Sequence, residues 1–337
     1  MFSIVQAILV FSGGALVVFF VYQAWSLIQL RRFSSVPELY EGSLNLMNIM
    51  YSDSPEKTRR RWLNYGMWYE DTKTYEEACD NLALKMAVEG EFSSSDRILD
   101  VGCGMGTSTR FWMDHVYKKE NAFPEITGLN ITPGHIAIAR RDAEADGRYG
   151  DRIRFELGDA TRLEGYKEKS FSKVAALECA FHFDTREDFI HEAFRVLEPG
   201  GVLVCADIIL KPWAPAYHKF RKVFPEFLIR PWFSFFADLA SCPVANHIDT
   251  PGYHRMLEEA GFSSIKSESI MPRARVTIEH YRRSAAAVKK GDVPEWVQPF
   301  DRKKFMLFHR MMTFINRSFA LADYIVVTAR KTDDAPK

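Results

Sequence analysis

Leu99-Asp100-Val101-Gly102-Cys103-Gly104-Met105-Gly106 is the stretch on which the fold turns. Just before and within it, Arg97-Ile98-Leu99-Asp100-Val101 reads as a short buried strand, and Thr107–Lys118 after it reads as a helix. Glycines between a strand and a helix let the chain turn tightly and bring its backbone close to a ligand. The helix N-terminus adds partial positive charge, which suits a carboxylate or a phosphate. The spacing is GxGxG. Thr107 stands where a dinucleotide-binding GxGxxG loop carries its third glycine.

Outward from this loop, strands alternate with helices. Glu125–Asn130, Ile153–Leu157, Phe171–Leu177 and Val202–Ile208 read as strands, and Gly134–Glu144 and Glu187–Val196 as helices. Pro199-Gly200-Gly201 is a strong break. Further on come a helix at Gly252–Ala260, a strand at Ile265–Ile270, a basic helical stretch over 273–320 and a seventh strand at Tyr324–Ala329. This alternation predicts an α/β fold: a doubly wound, seven-stranded, mostly parallel sheet with helices on both faces. The predicted organisation is an anchor at 1–32, a helical lead-in at 33–95, the α/β domain at 96–331 and a tail at 332–337. Residues 211–250 and 271–320 are insertions. Trp213, Tyr217, Phe220, Trp232 and Phe236 in the first of them suit a lid over an apolar substrate, a membrane-dipping helix, or packing against the sheet.

Bulk composition narrows the function classes. Lys and Arg total 44, as do Asp and Glu, so the formal net charge is zero. A nucleic-acid binder would carry a basic excess, and none is expected as a partner. The five cysteines, Cys79, Cys103, Cys179, Cys205 and Cys242, show neither a disulfide nor a zinc spacing and read as reduced thiols. The histidines are scattered, so no metal site is expected. Phe2–Leu30 holds no charged side chain. A bilayer core needs about 20 apolar residues in a helix, and this segment is long enough. No basic residue precedes it, which favours an anchor over a cleaved signal peptide. Arg31 and Arg32 follow, so the rest of the chain is expected in the cytosol beside a membrane, the endoplasmic reticulum being one candidate.

The glycine loop, with Asp100 two residues before its first glycine, resembles the first motif of Rossmann-like S-adenosylmethionine methyltransferases. Gly158-Asp159-Ala160 after the third strand matches the same pattern. Ala193-Phe194-Arg195-Val196-Leu197-Glu198-Pro199-Gly200-Gly201 resembles that family's RVLKPGG segment. Ala260-Gly261-Phe262 and Ala329-Arg330-Lys331 match as well. Asn64-Tyr65-Gly66-Met67-Trp68 resembles the NxGxW-like segment of the ubiquinone, tocopherol and sterol methyltransferases. The resemblance covers roughly residues 60–331. It implies S-adenosylmethionine as cofactor, with Asp100, Gly102, Gly104 and Gly106 around its methionine portion. Asn130 and Ile131 would meet the ribose, Asp159 and Ala160 the adenine, and Glu178 the methionine end. Where the family often places an acid at the second strand tip, this chain has Asn130, and the sterol-type YEYGWG signature is absent.

Methyl transfer from a sulfonium demands alignment more than electrophilic help, and alignment contributes up to roughly 7–11 kcal/mol. A hydroxyl acceptor also needs a base. His182, after the fourth strand, and Asp207, closing the fifth, lie where such sheets bind ligands and suit a base with an orienting carboxylate. Tyr65 and Trp68 either close over the cofactor or pack in the core. The expected activity is methyl transfer to a small hydrophobic or lipid-like acceptor, with oxygen favoured. Nitrogen or carbon acceptors, an NAD(P)-dependent oxidoreductase and an inactive cofactor-binding scaffold stand as alternatives.

Overall fold

Strand β1, Arg97–Val101, sends Ile98 to one side of a sheet and Leu99 and Val101 to the other, and all three are buried. A parallel central strand buried on both faces reads as a near-continuous apolar run, interrupted here by the buried Asp100. The computed structural model describes residues 61–210, 242–290 and 322–332. Around β1 lie β2 (Glu125–Asn130), β3 (Ile153–Leu157), β4 (Phe171–Leu177), β5 (Leu197–Leu210), β6 (Phe262–Ser269) and β7 (Ala322–Lys331). The sheet order is β3-β2-β1-β4-β5-β7-β6. β1 to β5 pair in parallel, and β7 runs antiparallel to both β5 and β6. The expected seven-stranded, mostly parallel sheet is therefore present.

Two apolar layers sandwich it. One holds Tyr75, Leu82 and Met86 of α1 (Tyr75–Glu89), Trp112 and Val116 of α2 (Thr107–Glu120), and Ile278 and Tyr281 of α6 (Met271–Lys290). The other holds Phe189 and Ile190 of α4 (Arg186–Val196) and Tyr253 and Leu257 of α5 (Thr250–Glu259). α3 (Pro133–Asp146) packs Ile136 and Ala139 against Phe155 of β3. Local chemistry starts these helices. Thr74 with Glu77, and Thr185 with Asp188, form reciprocal caps on α1 and α4. Pro133 opens α3, and Gly147 in a left-handed conformation closes it.

Several expected boundaries shift. Pro199-Gly200-Gly201 ends α4 at Val196 but does not keep residues 197–201 out of the strand. The pairing slips from Phe171 with Leu197 to Lys173 with Val202, and Gly200 takes φ +77° in that irregular segment. β6 begins at Phe262 rather than Ile265, because β7 extends to Lys331 and pairs with Phe262. Among the described residues no helix is long and apolar enough to cross a membrane. The expected anchor at 1–32 lies outside them, as do residues 33–60 of the lead-in, 211–241 of the first insertion, 291–320 of the second, and 333–337 of the tail.

Candidate active site

The sheet order reverses between β1 and β4, which leaves a crevice at the carboxyl ends of the strands. A cavity of about 300 Å³ opens there. Gly102 and Gly104 line it, with φ of +66° and +53°. A Cβ on Gly102 would stand 2.6 Å from the Cys179 side chain, so only glycine lets the loop lie against β4. Gly106 does not line the cavity. Its Cβ would meet the Phe155 ring at 2.6 Å, so the third glycine seats α2 against β3 instead of touching a ligand. Thr107, the first residue of α2, does face the cavity, and its buried hydroxyl has no partner.

Asp100 also works from behind the loop. It is fully buried and does not line the cavity. Its Oδ2 accepts from Ser108 Oγ at 2.8 Å and Thr109 Oγ1 at 2.7 Å, tying β1 to the first turn of α2. Oδ1 is buried without a partner. Burial pushes the carboxyl up to about 7, although both hydroxyls favour its charged form.

The second and third strands supply the other end. Asn130, Ile131, Thr132, His135, Gly158 and Asp159 line it. Asn130 Nδ2 lies 3.4 Å from His135 Nδ1. Asp159 Oδ1 accepts from both the N–H and the hydroxyl of Thr161 at 2.8 Å, which fixes the carboxylate at the wall. Ala160 is buried beside it, off the wall. Thr132 and His135 went unrecognised in the sequence, although Pro133 marks the helix start that brings them to the strand tip.

β4 ends at Leu177, and Glu178 makes the turn in a left-handed conformation at φ +54°. Its N–H donates to Ala206 O at 2.7 Å. Oε2 accepts from Tyr65 N at 2.8 Å and from Tyr324 Oη at 2.7 Å. Burial pushes this carboxyl up to about 8, against the pull of those two hydrogen bonds. His182 closes the short turn Ala180–His182 and lines the cavity beside Phe183.

Asp207, expected as the carboxylate that orients the base, faces the interior. It has no exposure and does not line the cavity. Its Oδ2 accepts from Arg186 Nε at 2.8 Å, and its Oδ1 from the N–H groups of Phe181 at 3.1 Å and Ile208 at 2.9 Å. Arg186, on the first turn of α4, turns inward and takes the carboxylate.

Arg61, Trp62, Leu63 and Asn64 complete the wall and were not singled out as ligand contacts. The NxGxW-like segment is a brace. Gly66 has φ +67°, and a Cβ there would meet the α1 backbone at 2.7 Å, so both the turn and the close approach require glycine. Trp68 Nε1 donates to Thr277 Oγ1 at 2.7 Å, and Thr277 in turn donates to Tyr65 O. Trp68 and Tyr65 therefore pack against α6 instead of covering the cavity. Among the described residues no group of three His, Cys, Asp or Glu could hold a metal.

An adenosyl ligand with an amino-acid tail suits this wall. Asp159 and Asn130 offer polar groups at one end. At the other, the unpaired Thr107 hydroxyl at a helix N-terminus faces the space beside two glycines. A family profile described as "Methyltransferase domain" matches residues 99–205. Erythromycin 3''-O-methyltransferase of Saccharopolyspora erythraea is 33% identical over 223 residues, 66% of this chain and 68% of that protein. The 27-O-demethylrifamycin SV methyltransferase of Amycolatopsis mediterranei is 34% identical over 174 residues, 51% of this chain and 58% of that protein. The cyclopropane synthase MmaA2 of Mycobacterium tuberculosis has the same fold, with a TM-score of 0.66 at 17% identity over 87% of this chain and 95% of that one. With the motifs in order along the strands and the match to S. erythraea spanning two thirds of both chains, the chain belongs to the S-adenosylmethionine-dependent methyltransferases.

Proposed function

We propose that the protein methylates a hydroxyl of a small hydrophobic molecule, with His182 as the base. The observation that carries this is the place of His182 on the wall of the glycine-loop cavity, flanked by Leu177, Cys179 and Phe183. Bound S-adenosylmethionine supplies an activated methyl group carried on a sulfonium. Gly102, Gly104 and Thr107 hold the methionine end, and Asn130 and Asp159 orient the nucleoside end. The imidazole of His182 would accept the acceptor hydroxyl's proton as the C–O bond to the methyl group forms and its C–S bond breaks, leaving a thioether. The apolar wall keeps bulk water from competing. The relatives include enzymes named for oxygen and for nitrogen, so the preference for oxygen rests on His182.

The test uses methyl-labelled S-adenosylmethionine with hydroxylated macrolactones, isoprenoid alcohols and their amine counterparts. Label should enter the hydroxylated acceptors, and His182→Gln should lower turnover by about 10²–10⁴ while S-adenosylhomocysteine still binds. Labelling confined to amines, or wild-type turnover in His182→Gln, overturns the reading.

We also propose that residues 1–32 anchor the chain once in a membrane, with the catalytic domain in the cytosol. The uncharged run Phe2–Leu30 followed by Arg31 and Arg32 supports this. Alkaline carbonate extraction should leave the protein in the membrane, and external protease should digest the catalytic domain in sealed microsomes. Release by carbonate overturns the anchor.

A further inference from the structure

Asn246 closes the short turn Val244–Asn246 and is 2% exposed. Its amide reaches three backbone groups around His182. Oδ1 accepts from Arg186 N at 2.8 Å. Nδ2 donates to Phe181 O at 3.1 Å and to Phe183 O at 2.6 Å. One backbone donor and two carbonyls leave a single amide orientation that satisfies every partner.

The rest of the cage is ionic. The Arg186 guanidinium donates to Asp207 Oδ2 at 2.8 Å, Asn246 O at 2.7 Å and Ile208 O at 3.1 Å. It also lies over the Tyr253 ring, 5.2 Å from the centroid. Asp207 returns to the turn by accepting from Phe181 N. The residues immediately before and after His182 are thus each held by Asn246. Asn246 is itself held by Arg186, and Arg186 by Asp207. All three side chains are buried, so water does not compete for these bonds.

We propose that Asn246 is a positioning residue for His182, acting by clamping the peptide units on either side of it. The clamp fixes where the imidazole enters the cavity without touching cofactor or acceptor, and it rests on the reading of His182 as the base. Asp207 serves the same end through Arg186 and the Phe181 N–H.

The test is NMR on the full-length chain in detergent with histidines labelled at Cε1, saturated with S-adenosylhomocysteine. The His182 cross-peak is assigned by its loss in His182→Gln. In Asn246→Ala it should shift and broaden by exchange, while inhibitor affinity and the seven histidine peaks other than those of His182 and of His247, the neighbour of Asn246, hold. Asn246→Asp is the second variant. It keeps the acceptor for Arg186 N, and its inhibitor affinity is the check that it folds. Its oxygen replaces the donor facing the carbonyls of Phe181 and Phe183, so the same peak should move. A His182 peak identical to wild type in either variant overturns the proposal. If His182→Gln keeps full methyl transfer while the peak moves in both Asn246 variants, the base reading fails and the positioning stands.

Discussion

The hydroxyl of Tyr324 on β7 donates to Glu178 Oε2 at the tip of β4 across 2.7 Å, and the Tyr65 N–H joins it at the same oxygen. These bonds tie the antiparallel edge of the sheet, the parallel half and the segment before α1 to one carboxyl on the cavity wall. That carboxyl is pushed up to about 8 by burial, so at pH 7 it is mostly protonated without ligand.

A cationic ligand in the cavity should change this. The sulfonium of S-adenosylmethionine favours the carboxylate, whereas the neutral thioether of S-adenosylhomocysteine does not. Calorimetry at pH 7 in buffers of different ionisation enthalpy should therefore find more protons released by S-adenosylmethionine than by S-adenosylhomocysteine. The difference should vanish in Glu178→Gln. Equal proton release in the wild-type protein would separate Glu178 from the sulfonium.

The same burial predicts a pH-dependent stability. Asp100 moves up to about 7 and Glu178 to about 8, both from ordinary values near 4. Between about pH 4 and 8 the folded protein holds more protons than the unfolded chain, so stability falls as pH rises and levels off above about 8. Each group contributes on the order of a few kcal/mol to that slope. The melting temperature of the ligand-free protein should drop from pH 5 to pH 8.5, and Asp100→Asn and Glu178→Gln should each flatten the curve. A flat wild-type curve contradicts the assignment.

The glycines should separate by role. Gly106→Ala drives a Cβ into the Phe155 ring and strains a backbone at φ +74°, so it should destabilise the fold by roughly 1–3 kcal/mol. Gly104→Ala has open space, with its nearest neighbour, a Leu63 methyl, at 3.6 Å. It should cost about 1 kcal/mol of stability through its positive φ, yet weaken S-adenosylhomocysteine binding more than Gly106→Ala does. Melting curves and calorimetry on the two variants decide this.

Arg186 and Asp207 both have no exposed side-chain surface. Arg186→Met should cost about 3–5 kcal/mol, because it leaves a buried charge unpaired. Adding Asp207→Leu should recover much of that loss. Arg97 and Glu198, 50% and 38% exposed, make the control: Glu198→Ala should change stability by no more than about 1 kcal/mol. Chemical denaturation measures all of these, and equal effects at the two pairs would remove the special status of the buried one.

The sequence by itself was enough for the strand–loop–helix unit, the glycine spacing and the bounds of the first four of the five parallel strands. β1, β2, β3 and β4 begin and end where the sequence places them. Strand alternation, caps and glycine turns are written in neighbouring residues, so they can be read locally. The cavity residues at strand tips, Gly102, Gly104, Asn130, Asp159, Glu178 and His182, were legible for the same reason: each lies at the end of a readable strand or within five positions after it. What the tertiary structure decided is which way the buried polar groups point. Asp100 lies next to the end of β1 and Asp207 three residues short of the end of β5, and neither lines the cavity. Asp207 meets an arginine 21 positions back in the chain, and that arginine's own N–H meets Asn246 a further 60 positions on. A buried carboxylate goes to whichever donors the packing brings within hydrogen-bond reach. Only the assembled sheet, with α4 and the turn before α5 laid against it, brings those donors there.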